Sequence, residues 1–465
     1  MELLDRSACE ITGDIAGGRL APSDLMAATL DRIAAVNPTL NAIVALRDPD
    51  ALMAEARAAD DAVARGPLHG LPVAIKDFVA VRGVVSTMGS PLFATHVPET
   101  DDILAARLRA AGAIPIGKTN VPEFGLGSHS FNPVYGVTAI PDTTRTAGGS
   151  SGGAAVGLAT RMLALADGST RWAACAPGGR VQCRLAPALA RACAAAAQGD
   201  LFLHPLSTDG PMARSPRDLA LLLSVLARPD PRVPATRPVE DYARGLDAPV
   251  AGRRIGWLGG WGGAWRTEVG ILDLCESALG VFEDLGCIVE PVLPPFSAAA
   301  LWNSWTTLRA FAVAARLGEA YRTTPEALKP EAVWEVEKGL ALTGQEIQAA
   351  SLIRSEWYRR AAELFETHDA LVLPTAQVWP FPADWRWPQE IAGVRMDTYH
   401  RWMEVVIPAS LTGLPAVTLP AGFGEAGLPM GMQVIGPRGG DMALLQLAEA
   451  YHRATDWPSR RPPSL

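Results

Sequence analysis

Four glycines bracket two serines in the run TAGGSSGGAA, with Gly148 and Gly149 before Ser150 and Ser151, and Gly152 and Gly153 after them. Glycine permits close backbone approach and unusual dihedrals, so a hydroxyl-bearing glycine loop can cradle a phosphate or shape an oxyanion site. The phosphate-loop pattern GxxxxGK[ST] requires a lysine that is absent here, and that reading fails on its own terms. A flexible linker is the plain alternative for an isolated GGSSGG. A second reactive candidate stands upstream, where Lys76 lies inside the apolar run LPVAIKDFVAV. A lysine among apolar neighbours loses the hydration of its charged form, which makes it a general base toward a serine hydroxyl. Adjacent Asp77 offers the competing role of a structural ion pair.

The elements that must hold these residues alternate between helix and strand. LPVAIKDFVAV is short, β-branched and bounded by glycines, which predicts a buried strand. ILAARLRAAG, from Asp102 to Gly112, predicts an amphipathic helix, and AIPIGKTN the next strand. Ahead of them, residues 22–36 place Leu25, Leu30 and Ile33 at helical spacing, with Ser23 as N-cap and Asn37-Pro38 as the stop. Between about 225 and 375 the text turns helical (ILDLCESALGVFEDLG, IQAASLIRSEWYRRAAELFETH) with tryptophan-rich loops, as for an inserted layer. LVLPTA at 371–376 and PAVTLPAGF at 415–423 return to strand, and MALLQLAEAYHRAT predicts a closing helix. Such alternation implies an α/β protein with a mixed or parallel sheet.

Composition narrows the function classes. Across 465 residues, 49% are hydrophobic and 19% charged, which suits a globular chain with a sizeable core. The 41 basic against 49 acidic residues give a net charge of −8, without a Lys/Arg-rich run, so no nucleic-acid partner is expected. Six cysteines without a CxxC pair fit neither a disulfide framework nor a zinc site, and a reducing compartment follows. MELLDRSACE lacks the features of a signal peptide and no 18-residue apolar run occurs, so a cytoplasmic protein without a membrane partner is expected.

The blocks GPLHGLPVAIKD, PETDDILAARLRAAGAIPIGKTNVPEFGLG, TRTAGGSSGGAAVGLA, DGPMARSPRDLALLL and SLTGLPAVTLPAGF resemble those of the amidase signature family, in that family's order and over nearly the whole chain. The resemblance implies a single large α/β/α domain over 1–465, around a mixed, mainly parallel sheet with an added helical layer. It divides into a catalytic motif core at 60–220, a helical substrate-side insertion at 225–370 and a completing part at 371–465. It further implies hydrolysis of a small carboxylic amide through a Ser-Ser-Lys triad, with Lys76 as base and Ser150 as a bridging serine beside a cis peptide bond. No metal or organic cofactor is implied, and oligomeric state is left open, a homodimer included.

The same resemblance places the acylated serine 24 residues after the bridging one, at position 174, where this chain has Ala174. Arg171, Trp172 and Ala173 fall where the family's oxyanion loop belongs. The text keeps ALADGS and then departs until about Gly199. Residues 170–197 contain no acidic residue and hold three of the six cysteines. Encoded as TCG ACA CGG TGG GCA GCC TGC GC and read two nucleotides late, the stretch from Ser169 can yield D-T-V-G-S-L-R; the Trp172-Ala173 junction forces the glycine whatever codons are used, and the other letters require those particular synonymous codons. This restores the family's pattern with its serine at 174, as for a frame-slipped stretch inside an otherwise intact amidase. Natural divergence to an inactive protein is the alternative. Ser169 lies five positions early, and Cys175 is displaced by one residue, which turns a side chain elsewhere. The chain as written is expected to be weak or inactive.

Other residues receive plainer readings. His69, His129 and His400 are scattered, which suits surface or hydrogen-bonding roles. Trp257, Trp261, Trp265, Trp379, Trp385 and Trp387 suit core and loop packing, or the lining of an acyl pocket. Asp142 and Arg145 either orient the glycine loop or form a solvated turn. Two other functions compete: the A subunit of a tRNA-dependent amidotransferase, whose YDGVRYG-like segment has no counterpart between 320 and 400, and a non-catalytic scaffold, suggested by Ala174.

Overall fold

The protein is described here by a computed structural model covering residues 2–142, 144–170, 181–184, 203, 208–232 and 241–460. β1 (Ile43–Val44), β2 (Pro72–Lys76) and β3 (Ile114–Thr119) form a small sheet in the order β1-β3-β2. All residues of β2 and β3 are buried, which suits their continuous apolar text. β4 (Phe131–Asn132) and β5 (Gly136–Val137) make a short hairpin. An eight-stranded sheet takes β6 (Leu165–Thr170), β7 (Val181–Arg184), β8 (Thr208–Ala213), β9 (Arg254–Trp257), β10 (Ile288–Pro291) and β11 (Ala370–Pro374). After the hairpin of β12 (Glu390–Ile391) and β13 (Val394–Arg395), β14 (Ala416–Phe423) and β15 (Pro429–Ile435) complete it, in the order β10-β9-β11-β15-β14-β7-β8-β6.

The architecture is α/β with mixed sheets, as expected, but the balance of strand directions differs. Among the described residues, parallel pairing is confined to β10-β9-β11 and β2-β3, and the run from β11 through β15, β14, β7 and β8 to β6 is antiparallel. The expectation of a mainly parallel sheet assumed a helical crossover between successive strands. β14 and β15 instead follow one another across a short turn, which demands antiparallel pairing. The span 225–370 likewise carries β9 and β10 of the large sheet in addition to its helices.

The helix over Pro22–Leu40 begins with Ala21, not Ser23, at its N-cap, and runs through Pro38. Ser23 instead donates to Asp60 Oδ2. Pro38 falls in the last turn, and Asn37 takes over the termination by accepting from the backbone N–H groups of Ala42 and Ile43. Apolar side chains from the large sheet and the helices over Pro216–Leu226, Ile271–Asp284 and Asp441–Thr455 build the main core. A second core gathers the helix over Gly152–Ala159 against β1 and β3. The helices over Ala298–Thr323, Pro330–Leu340 and Gly344–Leu364 form a further layer.

Candidate active site

β2 ends on Lys76, and its Nζ, fully buried, bonds Ser150 Oγ at 2.8 Å and Ser151 Oγ at 2.8 Å. The two serines sit at the turn into the buried helix over Gly152–Ala159, and the Gly149–Ser150 peptide bond is cis. Glycine is required here by space: a Cβ on Gly153 would collide with the backbone of Asn120 and Ala42. The loop is fastened from outside. Gly152 N donates to Ser130 Oγ at 3.0 Å, and Gly148 N donates to Thr146 Oγ1 at 2.9 Å. Thr146 Oγ1 also bonds His129 Nδ1 at 2.6 Å, and His129 Nε2 bonds the Ala383 carbonyl at 3.0 Å. That carbonyl can only accept, so Nε2 carries the proton and Nδ1 accepts from the threonine. Burial holds the His129 pKa down, at about 4.

The two sheets meet at this site. Asp167 on β6 accepts the Lys76 backbone N–H at 2.9 Å, which brings β6 alongside the C-terminal end of β2. Asp167 is buried and its carboxyl pKa is raised, chiefly by burial. Behind Lys76 a second buried lysine, Lys118 on β3, donates to the Val79 carbonyl and lies 3.9 Å from Asp77 Oδ1. Burial pushes the Lys118 pKa down to about 8 against the pull of Asp77. Asp77 therefore has the structural role: it accepts from Thr87 N at 3.0 Å and from Thr87 Oγ1 at 2.5 Å, and its partner is Lys118. Lys76 is left facing the two serines.

The sequence expectations are met unevenly. Lys76, Gly148, Gly149, Ser150, Ser151 and Gly152 are brought together. Arg171, Trp172, Ala173, Ala174 and Cys175 lie outside the described residues. His69, His129 and His400 are all buried, so a surface role is excluded for each and the hydrogen-bonding one stands. Asp142 accepts from Thr144 N and Oγ1, closing a turn, and Arg145 reaches the Pro380 carbonyl, so neither touches the glycine loop's serines. Trp257, Trp261 and Trp265 are core residues, whereas Trp379 lines an apolar pocket with Gly148, Phe381, Trp402 and Met430. Reasoning from sequence missed Asp167, Ser130 and Thr146. Only Asp167 carried a signal, an acidic residue in the otherwise apolar run LALAD. Among the described residues no group of His, Cys, Asp and Glu could hold a metal ion, and no helix is long and apolar enough to cross a membrane.

A buried lysine hydrogen-bonded to paired serines on a glycine loop, at the seam of an α/β fold, is an arrangement in which an amine can take a proton from a hydroxyl. The model of the family described as Amidase matches residues 24–170 and 200–445, and the chain belongs to that family and is an amidase. It is 33% identical to the A subunit of glutamyl-tRNA(Gln) amidotransferase from Chloroflexus aurantiacus, over 96% of each chain. To its counterpart from Thermus thermophilus it is 34% identical, over 96% of this chain and 97% of the other. Among solved structures, a bacterial aryl acylamidase superposes with a TM-score of 0.89 at 26% identity, covering 98% of this chain and 99% of that one. The peptide amidase of Stenotrophomonas maltophilia does so at 0.80 and 27%, over 98% of both.

Proposed function

We propose that this polypeptide derives from a free-standing enzyme that hydrolyses a small carboxylic amide to acid and ammonia or amine, and that its segment 170–197 is frame-slipped. The hydrogen bonds of buried Lys76 to Ser150 and Ser151 carry the reading of the chemistry. In the restored frame, the serine hydroxyl at position 174 attacks the amide carbonyl, and its proton passes through Ser150 to neutral Lys76. Backbone N–H groups of the 171–174 loop hold the tetrahedral oxyanion, an interaction worth about 3 kcal/mol per donor. Collapse expels ammonia or amine, protonated along the same path, and water then hydrolyses the ester to free acid and serine. Position 174 lies four residues beyond Thr170, the end of the strand whose Asp167 holds Lys76.

Two observations support the frame slip. The family match runs to residue 170 and restarts at 200, and the lost stretch contains the nucleophile position. A fluorophosphonate followed by intact mass tests the reading. The chain as written should take up no stoichiometric adduct, whereas the frame-restored protein should label once, at position 174. Stoichiometric labelling of the chain as written would overturn it, as would an inert restored protein. Sequencing the gene through this region decides the slip itself, because an unambiguous read in the present frame with no compensating indels sinks it. Identity of 33–34% to amidotransferase A subunits favours a second reading, work in a complex with other subunits.

A further inference from the structure

At the end of the small sheet opposite Lys76, a cleft of about 430 Å³ opens between the helix over Pro49–Asp60 and the start of β3. Its floor is small and apolar, made by Ala58, Ala59, Ala62, Ala113 and Pro115. Its polar lining is mostly cationic, with Arg65, Arg82 and Arg109 against the single carboxylate of Glu55. Glu55 is already taken by Arg47, and Arg109 is held by Asp101 at 3.1 Å. The Arg65 and Arg82 guanidinium groups make no ion pair or side-chain hydrogen bond among the described residues. His69 is spent on the wall, its Nε2 bonding the Ala59 carbonyl at 3.0 Å. Gly112 keeps the cleft shaped, because a Cβ there would lie 2.8 Å from His69 Cα.

A chain with a net charge of −8 repels anions in general, so two unspent arginines at one concavity reverse the local sign. A guanidinium presents a planar fork that suits phosphate oxygens in bidentate fashion. Two such forks at one cleft call for a ligand with at least two negative charges, and the alanine floor takes an apolar body. The cleft is within the size range of small-molecule sites. We infer that this cleft is a second binding site, separate from the serines, for a small organic phosphate carrying two or more negative charges.

Titration calorimetry on the full chain at low ionic strength tests this, with inorganic pyrophosphate as the probe and citrate and sulfate as comparisons. Pyrophosphate should bind saturably with one site per chain. Arg65→Gln and Arg82→Gln should each weaken it by about tenfold or more, the worth of one charge-assisted contact. Both side chains are exposed, so the variants should fold, and thermal melting without ligand checks this. Arg57→Gln, on the helix over Pro49–Asp60 that borders the cleft but not in its lining, should bind as the parent does. Absence of saturable binding would overturn the site. Retention of parental affinity by both cleft variants would do the same, and an equal loss in Arg57→Gln would reduce the effect to diffuse surface attraction. Citrate binding as tightly as pyrophosphate would overturn the assignment to phosphate chemistry.

Discussion

Lys76 is the residue on which the chemistry turns, because its Nζ is fully buried and aimed at two hydroxyls. In the frame-restored protein, Lys76→Met keeps the volume and the apolar packing but removes the base, and amide turnover should fall by about 10²–10⁴-fold, the usual worth of a positioned general base. Ser150→Ala breaks the proton path and should be comparably damaging, and steady-state kinetics of either variant within tenfold of the restored parent would remove that residue from the mechanism. His129 acts one step away, through Thr146 on the glycine loop, and carries a pH signature. Its folded pKa of about 4 lies below the ordinary 6.5, with burial as the main cause. The unfolded chain therefore takes up a proton that the folded protein excludes. This residue's contribution is complete above about pH 6.5 and is lost as pH falls toward 4, a loss on the order of 3 kcal/mol across the window. Urea midpoints at pH 7 and 4.5 should differ less for His129→Gln than for the parent, and an unchanged difference would show that the histidine does not titrate in this way.

Among the elements, the helical layer is held by a charge pair with almost no access to water. Arg309, on the helix over Ala298–Thr323, bonds Glu335, on the helix over Pro330–Leu340, and both are essentially inaccessible. Tyr399 closes the cluster, donating to Glu335 Oε1 at 2.6 Å and accepting from Arg309 at 2.5 Å. Removing one partner strands a buried charge, whereas removing both does not. Glu335→Leu should therefore destabilise by about 3–5 kcal/mol, and adding Arg309→Met should recover much of that in denaturant unfolding. A double variant no more stable than the single one would contradict this. This cluster was illegible in the sequence, where Arg309 is one of three arginines in its helix and nothing in the text sets it apart from Arg316 and Arg322. β2, β11 and β14 were legible because each is a bounded, nearly continuous apolar run. β9, only four residues long, and β15, which opens on Pro429 and carries Gly431 and Gln433, gave no such contrast. The site followed the same rule. Lys76 and Ser150 stood out against unusual surroundings, whereas Ser130 and Thr146 look like any loop hydroxyls until the fold brings them to the glycines.

For the whole molecule, length and architecture do not separate a free-standing hydrolase from an amidotransferase component. The chain matches both the Chloroflexus aurantiacus amidotransferase protein and the bacterial aryl acylamidase over nearly all of its length. What separates them is whether the chain completes its reaction alone. Between 320 and 400 this chain places Glu335 and Tyr399, which join Arg309 in the buried cluster, and Trp387, which lines a pocket with Phe131, Tyr399 and Trp402. Gly127, Ser128 and His129 line the same pocket, together with Lys329, Glu331 and Arg386. The frame-restored chain, purified alone, should hydrolyse members of a panel of aliphatic and aromatic amides, with kcat/KM unchanged when the other amidotransferase subunits are added together with tRNA. Turnover confined to glutamine, and dependent on those additions, would overturn the free-standing reading and leave the buried lysine-serine chemistry in place.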